Sequence, residues 1–332
     1  MLGTKAYAWC PPIAFCSFCV LGQGSFANSF CNLRFTLVIV NPVTLISRFD
    51  PWRSRLCTCP PKLTLNPYTG CDHACLYCYA SSYVPGFSKC RVKKDLLRRL
   101  EREAVCLKGE TVSLSNSSDP YPNLEAETGL TRDCLKILAR AECRVQIITK
   151  SPLVVRDVDL LASFPAMVSL TVTTDDAEVA KLMEPQAPLP AARLKAVETL
   201  LAKGVPTSVR IDPLIPFFND EQERLVKSLA SMGVKHITSS TYKVKADNWK
   251  RLSRALPELA KKLAPLYFEQ GRKMGGSFYL PEGIRFQLLA SIAVLAKKHG
   301  IRFGVCREGL SGLNVAVCDG SWLLADRASR RF

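Results

Sequence analysis

Six short segments rich in β-branched residues alternate with segments of helical period along the middle of the chain. The predicted strands are 62–65, 111–115, 144–149, 167–173, 205–211 and 234–241. The predicted helices between them are 92–107, 130–141, 153–163, 190–203 and 220–232. This alternation is typical of a parallel sheet with right-handed helical crossovers. Six strands predict an α/β fold with a partial (β/α)6 barrel rather than a closed barrel of eight strands.

Two flanking regions complete the chain. Residues 1–48 are apolar, carry only Lys5 and Arg34 as charges before position 48, and are repeatedly broken by Pro and Gly. We interpret them as a poorly ordered extension that the barrel does not need, and a start codon assigned too far upstream is one explanation for them. Residues 49–245 form the predicted barrel core, and residues 246–332 a short helical and tail appendage that packs on it. This appendage contains helical segments at 255–271 and 283–299 and candidate strands at 301–306 and 313–318.

The cysteine count indicates the compartment. The chain has 332 residues and 15 cysteines, and a core of this size needs no disulfides for its stability. An odd number of cysteines also leaves at least one thiol unpaired. We therefore expect a cytoplasmic, reducing location with metal or redox chemistry, rather than a secreted disulfide framework.

The charge distribution suggests an anionic partner. The formal net charge is +16, and residues 243–332 hold 17 Lys and Arg against 7 Asp and Glu. Nucleic acid is one partner that such a surface attracts, and a solvated basic surface is the alternative. No apolar run reaches the length that spans a bilayer, so we expect no membrane partner.

Polar clusters follow four of the predicted strands. They are "SNSSDPYP" after the second strand, "TKS" after the third, "TTDD" after the fourth and "RIDPLIP" at the fifth. Because the carboxyl ends of parallel strands share one face of a barrel, these clusters predict an active site there.

The loop after the first strand, "NPYTGCDHACLYCYA", concentrates three thiols, those of Cys71, Cys75 and Cys78. Structural zinc favours four ligands in two pairs, and ferredoxin-type spacings also supply a fourth Cys. Three thiolates suffice to hold three irons of a 4Fe–4S cluster and leave the fourth iron open to a ligand. A zinc knuckle and three buried thiols are the alternatives.

The same loop resembles the Cys-x3-Cys-x-aromatic-Cys signature of the radical S-adenosylmethionine (SAM) enzymes, with Tyr77 at the aromatic position. The stretches "DPYPNLEAETGLTR" and "IITKSPLVVRDVDLL" resemble the branch that contains spore photoproduct lyase, and the likeness extends over residues 49–325. It implies that Cys71, Cys75 and Cys78 bind a 4Fe–4S cluster whose open iron chelates SAM. It further implies SAM cleavage to a 5′-deoxyadenosyl radical, with an electron donor such as flavodoxin or ferredoxin.

The resemblance also implies roles for individual residues. Tyr77 would lie near the adenine, Lys150 would pair with the SAM carboxylate, and Thr171 would hydrogen-bond SAM. Five further residues fall in matching motifs without an individual role: Ser118, Asp119, Glu184, Arg193 and Arg210. Of these, Ser118, Glu184 and Arg210 belong to the predicted cofactor-binding set. Two alternatives stay open: Asp119 before Pro120 is also a turn starter, and Glu184 with Arg193 could form a structural ion pair.

One position departs from the branch. Spore photoproduct lyase carries a hydrogen-donating cysteine after the second strand, where this chain has Asn116. The catalytic candidates are therefore Tyr79, Asn116 and Asp119. We expect SAM cleavage and hydrogen abstraction from an unidentified substrate, with nucleic acid as a candidate. The alternatives are a DNA spore photoproduct lyase with another hydrogen donor, and a non-catalytic nucleic-acid-binding module stabilised by metal.

Four further cysteines lie near the two ends of the predicted barrel: Cys57, Cys59, Cys306 and Cys318. In a partial barrel the two ends could meet across the open side, and four thiols there would form a second metal site, structural zinc or an auxiliary cluster. Independent buried cysteines are the alternative.

Overall fold

The structure is a computed structural model that describes residues 45–49, 54, 56–114 and 116–328, with side chains described up to residue 325. The strands are β1 Ser47–Arg48, β2 Leu63–Leu65, β3 Tyr68–Thr69, β4 Arg91–Val92, β5 Thr111–Leu114, β6 Arg144–Thr149, β7 Ala166–Thr171, β8 Thr207–Leu214, β9 His236–Thr241, β10 Arg272–Met274, β11 Ser277–Tyr279 and β12 Arg302–Val305. The helices are α1 Leu96–Ala104, α2 Asn123–Thr128, α3 Leu130–Arg140, α4 Val158–Ser163, α5 Ala177–Met183, α6 Pro190–Ala202, α7 Glu223–Ser231, α8 Ala246–Ala255, α9 Pro257–Ala264, α10 Glu282–Lys298 and α11 Trp322–Ala328. Short 3-10 turns occupy Ala80–Ser82, Pro152–Asp157 and Ser311–Leu313, and a π-helical turn occupies Pro265–Glu269.

One mostly parallel sheet forms the centre of the molecule, in the order β1-β2-β5-β6-β7-β8-β9-β12. All neighbours from β2 to β12 are parallel, and only β1 runs antiparallel to its neighbour. The predicted α/β class is confirmed. The six predicted strands are all present, and the candidate strand at 301–306 adds a seventh parallel strand, β12, in which Arg302 pairs with His236.

The second candidate strand, 313–318, is not a strand. Its backbone makes one bond to β12, from the Val315 amide to the Phe303 carbonyl at 2.9 Å. The chain then turns inward, where the Thr238 hydroxyl donates to the Cys318 carbonyl at 2.8 Å. A side chain thus satisfies the backbone group that a ladder would otherwise use.

Residues 45–48 belong to the folded unit, which corrects the predicted boundary after residue 48. Leu45 and Ile46 are buried in the main core, and their backbone amides each donate to the Glu103 carboxylate at 2.9 Å. Ser47 pairs with Thr64 in the β1–β2 ladder. The remainder of the predicted extension, residues 1–44, lies outside the described residues.

The two faces of the sheet differ in chemistry. Val112, Val145 and Val209 point outward into the apolar core between sheet and helices. The alternate positions are buried and polar, and the Ser208 hydroxyl donates to that of Ser169 at 3.0 Å across neighbouring strands. This alternation follows from the period of two in a strand. It creates a polar interior, which we call the lumen.

The two edges of the sheet approach each other, as expected for a partial barrel. The Cys59 sulfur, just before β2, lies 3.3 Å from the Cys318 sulfur, which follows β12. Lys62 forms a buried ion pair with Asp319 beside them. At the amino-terminal end of the lumen, α11 packs against β7 through an apolar contact that includes Met167.

The C-terminal region does not begin cleanly at residue 246, because β12 completes the sheet and α10 packs on its outer face. Helices α8 and α9, the π-helical turn and the β10–β11 hairpin form a second apolar cluster around Tyr242 and Tyr267. Among the described residues, no helix is both long and apolar enough to cross a membrane.

Candidate active site

The loop from Cys71 to Cys78, the three-Cys loop, is held in one conformation. Gly70 before it has φ +83°, and a Cβ there would lie 2.5 Å from the carbonyl oxygens of Phe87 and Lys89. The Cys71 amide donates to the Phe87 carbonyl at 2.8 Å. Ala74 also adopts a positive φ, of 54°. Such a backbone persists only where its surroundings impose it, which is common at functional loops.

The three thiols are free, and Cys75 interacts electrostatically with both Cys71 and Cys78. None is in a disulfide, and Cys75 is buried while Cys71 and Cys78 are half-buried. Burial raises the pKa of Cys75 to about 12, Glu184 and Cys78 add to this rise, and the Lys150 charge opposes it. Burial, with Asp119 and Cys75 nearby, also raises the pKa of Cys71. A cationic centre would remove the cost of ionising these thiols, so the donor set fits an iron–sulfur cluster held by three thiolates.

A different set of ligand atoms exists in the same loop. The Cys71 sulfur and one ligand atom each of Asp72 and His73 lie within 4.8 Å of one another. However, the Asp72 carboxylate accepts the Asn123 amide at 2.9 Å. The buried His73 Nδ1 lies 3.7 Å from a carboxylate oxygen of Asp119. We therefore interpret these two side chains as contacts that fasten the loop to the segment after β5.

Buried charges surround the loop on the β6 and α6 side. Glu184 forms a buried ion pair with Arg193 and accepts a hydrogen bond from the Tyr77 hydroxyl. Despite burial, Arg193 and Lys150 hold the pKa of Glu184 below its usual value. The predicted alternative of an ion pair is thus present, and Tyr77 and Glu184 are anchored to each other and to α6.

The Lys150 ammonium lies at the centre of this group, 5.5 Å from the centroid of the Tyr77 ring. Burial works against its charge, yet Cys75 and Glu184 together raise the pKa of Lys150. In the part of the chain that the structure describes, no carboxylate lies within ion-pair distance of this ammonium. It therefore presents a half-buried positive charge to an anionic ligand beside the three-Cys loop.

Asp119 positions Lys150 through the backbone. One carboxylate oxygen accepts the Lys150 amide at 2.8 Å, and the other accepts the Thr149 hydroxyl at 2.6 Å and the Tyr121 amide at 2.9 Å. These bonds join the end of β6 to the turn after β5. These contacts are those of a turn residue, as the sequence predicted for Asp119. Both of its carboxylate oxygens accept hydrogen bonds.

The other predicted site residues on this side have clear positions. The Ser118 hydroxyl donates to the Tyr68 carbonyl at 3.1 Å. Thr171 is buried at the end of β7, and its carbonyl accepts Arg193 Nη1 at 3.2 Å. Asn116 donates its amide to the Thr64 hydroxyl, and its backbone carbonyl accepts the Tyr79 hydroxyl at 3.3 Å. Asn116 and Tyr79 thus meet at the lumen above β2 and β5.

A second polar group stands at the ends of β8, β9 and β12. Arg210 donates to Asp212 at 2.6 Å, and Asp212 and the Cys306 thiol both act on its charge. Lys243 donates to Glu308 at 2.8 Å. Arg210 is among the predicted site residues, whereas Lys243 and Glu308 are not. Both of these residues follow strands, and their position at strand ends could have indicated them. Arg210 thus has its own partners on the β8–β12 side of the lumen, as part of a second polar group there.

The four additional cysteines are also located. Cys59 and Cys318 are in contact, as described above, and Cys318 and then Cys57 raise the pKa of the Cys59 thiol. Cys306 is half-buried just after β12.

Residues 65–229, which contain the three-Cys loop, match the model of the radical SAM superfamily. The chain contains a domain of the radical SAM superfamily. Its thiol loop, its mostly parallel sheet and the position of the loop after the first parallel strand agree with this membership.

Other proteins resemble this chain in sequence or in fold. An uncharacterised protein of Mycobacterium tuberculosis is 29% identical over 266 residues, which cover 72% of this chain and 75% of that protein. One of Methanocaldococcus jannaschii is 36% identical over 163 residues, which cover 47% of this chain and 61% of that protein. Spore photoproduct lyase complexed with a dinucleoside spore photoproduct has a TM-score of 0.60 at 14% identity, with 80% of each chain covered. A variant of that lyase with bound AdoMet has a TM-score of 0.57 at 13% identity, with 77% and 79% covered. At these identities the structural likeness shows the radical SAM partial-barrel fold.

Proposed function

We propose that this protein cleaves SAM reductively and abstracts hydrogen from a substrate, as a radical SAM enzyme with a 4Fe–4S cluster on Cys71, Cys75 and Cys78. The observation that carries the proposal is the Lys150 ammonium. It is half-buried, faces Cys75 and Glu184, and has no carboxylate partner among the described residues. A ligand with a carboxylate at the three-Cys loop would supply the missing negative charge.

The residues around the loop have separable tasks in this proposal. Lys150 binds the SAM carboxylate, and Asp119 sets the position of Lys150 through its backbone amide. Tyr77, held by Glu184, forms one wall of the site beside Lys150. The bound cluster and SAM supply the reducing electron and the radical. The protein supplies orientation and shelter from water.

The substrate that we infer is an anionic one, with single-stranded nucleic acid as the class that the surface fits. Trp249, Phe268 and Phe278 form an aromatic row with ring centroids 4.9 and 5.2 Å apart. Phe268 is 43% exposed, and Lys273 lies over the Phe278 ring at 5.6 Å. The elements that carry or adjoin this row, α8, α9 and β10, also carry exposed basic residues: Lys250, Arg254, Lys261, Lys262, Arg272 and Lys273. Exposed aromatic and basic side chains together are typical of surfaces that bind single strands.

This basic surface is joined directly to the three-Cys loop. Arg251 of α8 donates to the Cys78 carbonyl at 2.8 Å, and the Ser81 hydroxyl donates to Asp247 at 2.6 Å. A strand bound along α8 would therefore lie beside the loop, within the same face of the molecule.

Repair of spore photoproduct is not the activity that we propose. The corresponding hydrogen donor is replaced by Asn116, whose side-chain amide is bonded to Thr64 and whose neighbour Ser113 donates to it at 3.4 Å. An amide does not donate a hydrogen atom as a thiol does. A reaction that ends without thiol-mediated hydrogen return fits this site better.

The test is anaerobic turnover of the reconstituted full chain with dithionite and SAM, with 5′-deoxyadenosine measured by mass spectrometry. We expect 5′-deoxyadenosine in an amount that requires the cluster, and more of it when single-stranded DNA or RNA is added. A fully loaded protein that produces none contradicts SAM cleavage. Production that is unaffected by either nucleic acid contradicts the substrate class alone.

A further inference from the structure

Two cysteines from opposite ends of the sheet, which we call the edge dithiol, meet where its two edges approach each other. The sulfurs of Cys59 and Cys318 lie 3.3 Å apart, although 259 positions separate them in the sequence. Both thiols are free. In the part of the chain that the structure describes, no third His, Cys, Asp or Glu side chain places a ligand atom within 4.8 Å of both sulfurs. The pair is therefore an isolated dithiol, and neither thiol has a task in the proposed reaction.

The fold holds both members of the edge dithiol in place. Lys62, three residues after the first cysteine, forms a buried ion pair with Asp319, the residue after the second. A Cβ on Gly304 of β12 would lie 2.6 Å from the Cys318 Cα, so this approach of two backbones requires glycine. The Thr238 hydroxyl also donates to the Cys318 carbonyl at 2.8 Å. The contact between the sulfurs thus follows from packing on both sides of the gap.

The surroundings of the edge dithiol favour a thiolate. Contact with Cys59 lowers the pKa of Cys318 to about 7, although burial opposes this, and the Lys62 charge acts in the same direction as Cys59. The same contact raises the pKa of Cys59, which therefore keeps its proton. Cys59 is half-buried, so the pair is not sealed inside the core. A thiolate is the nucleophile of thiol–disulfide exchange, and here a second thiol lies directly beside it.

We propose that Cys59 and Cys318 form a reversible disulfide that ties the first and last parallel strands of the sheet together when the surrounding thiol pool becomes oxidised. The two sulfurs need to approach by only about 1.3 Å to reach a disulfide bond length of about 2.05 Å. Disulfides in reducing compartments are usually transient, and redox sensing is one of their uses. The proposal is independent of SAM cleavage.

The oxidant in this proposal is a small disulfide such as oxidised glutathione. The thiolate of the pair attacks one glutathione sulfur, which forms a mixed disulfide and releases one glutathione thiolate. The second cysteine then attacks the protein sulfur of the mixed disulfide and releases the other glutathione, which takes up the proton that this cysteine loses. Two protein thiols and one glutathione disulfide thus give one protein disulfide and two glutathione thiols, and excess reduced glutathione reverses the exchange.

The test incubates the full chain, purified without oxygen, in buffers of increasing ratio of oxidised to reduced glutathione. Acid quenching and alkylation are followed by proteolysis and mass spectrometry of disulfide-linked peptides. We expect a peptide that joins Cys59 to Cys318, that increases with the oxidised fraction and that disappears when reduced glutathione is restored. Cys318→Ser should lack this peptide. Cys57→Ser, at the neighbouring cysteine, and Cys106→Ser, at an exposed thiol, are the controls and should retain it.

A second measurement uses the wild-type chain alone, so it does not depend on the folding of a variant. The chain should unfold at a higher urea concentration in oxidised than in reduced glutathione, because a disulfide that closes so long a loop restricts the unfolded state. Absence of the Cys59–Cys318 peptide at the most oxidising ratio, a Cys57–Cys59 disulfide in its place, or a stable glutathione adduct would overturn the proposal. A linked peptide with an unchanged urea midpoint would overturn the role of the disulfide as a tie between the strands.

Discussion

Two cations, the buried Arg193 and the half-buried Lys150, lie near the three-Cys loop, and they differ in what neutralises them. Arg193 is paired with the buried Glu184, so its charge is neutralised within the fold. Lys150 lies beside the same carboxylate, but outside ion-pair distance of it in the part of the chain that is described. Breaking the first pair should therefore damage stability, whereas removing the second cation should damage ligand binding.

Lys150→Ala should weaken SAM binding and leave the cluster in place. The loss of one hydrogen bond to a charged group costs about 1.5–3 kcal/mol, which weakens binding roughly 10- to 100-fold. Equilibrium binding of SAM to the reconstituted protein checks this, with iron content measured on the same sample. Lys136→Ala, which removes an exposed lysine paired with Asp133, is the control. Unchanged SAM affinity in the Lys150 variant would remove this residue from the site.

Arg193→Met should destabilise the folded protein strongly. It leaves the Glu184 carboxylate buried without its partner, and such a change costs about 3–5 kcal/mol. Lys195→Met on the same helix breaks an exposed pair with Glu198 and should cost at most about 1 kcal/mol. Urea unfolding of both variants gives the comparison, and equal free energies of unfolding would show that the Arg193–Glu184 pair is not structural.

At the level of elements, the three-Cys loop depends on the glycine that precedes it. Gly70→Ala should prevent the loop from closing, because the new methyl group would lie 2.5 Å from two carbonyl oxygens. We expect loss of most of the iron that the wild-type protein binds after reconstitution. Gly109→Ala has the same sign of φ, +76°, with nothing within 4 Å of the new Cβ, so it should keep the iron. Iron retained by the Gly70 variant would show that the loop tolerates a shift of its backbone.

The elements that sequence could predict are those with a strong local pattern. The six predicted parallel strands each carry several β-branched or apolar residues in succession, and each recurs in the sheet with small shifts at its ends. The pattern could not separate 301–306, which is a strand, from 313–318, which is not. That choice depends on Gly304, which admits Cys318, a contact between segments rather than a property of either one. The two-residue strand β1 is too short to show any period.

The site residues also divide into those that a local motif predicts and those that depend on contacts between distant segments. The loop motif predicts Cys71, Cys75 and Cys78 as ligands because ligand spacing is local. Lys243 and Glu308 form their ion pair only where β9 and β12 lie side by side. No short segment of the sequence therefore predicts this pair. The sequence alone shows that position 116 carries an amide rather than a thiol. The hydrogen bond from that amide to Thr64 could not be predicted, because it depends on the neighbouring strand.

At the level of the whole molecule, the fold begins earlier than the apolar composition suggested. A chain that starts at Phe49 lacks β1 and the buried side chains of Leu45 and Ile46. Each such side chain contributes about 1.5–3 kcal/mol by burial, and the Glu103 carboxylate would lose two amide donors. We expect this chain to unfold at lower urea than one that starts at Thr44. Equal midpoints with equal slopes would show that residues 45–48 add nothing to stability.

The account rests on an iron of the cluster that is open to SAM. Electron paramagnetic resonance of the dithionite-reduced full chain, recorded with and without SAM, tests this most directly. The predicted result is the spectrum of one reduced 4Fe–4S cluster that changes when SAM is added and disappears in Cys75→Ala. A cluster signal that SAM leaves unaltered, or one that persists in Cys75→Ala, would contradict the assignment of the three-Cys loop as the SAM-binding centre.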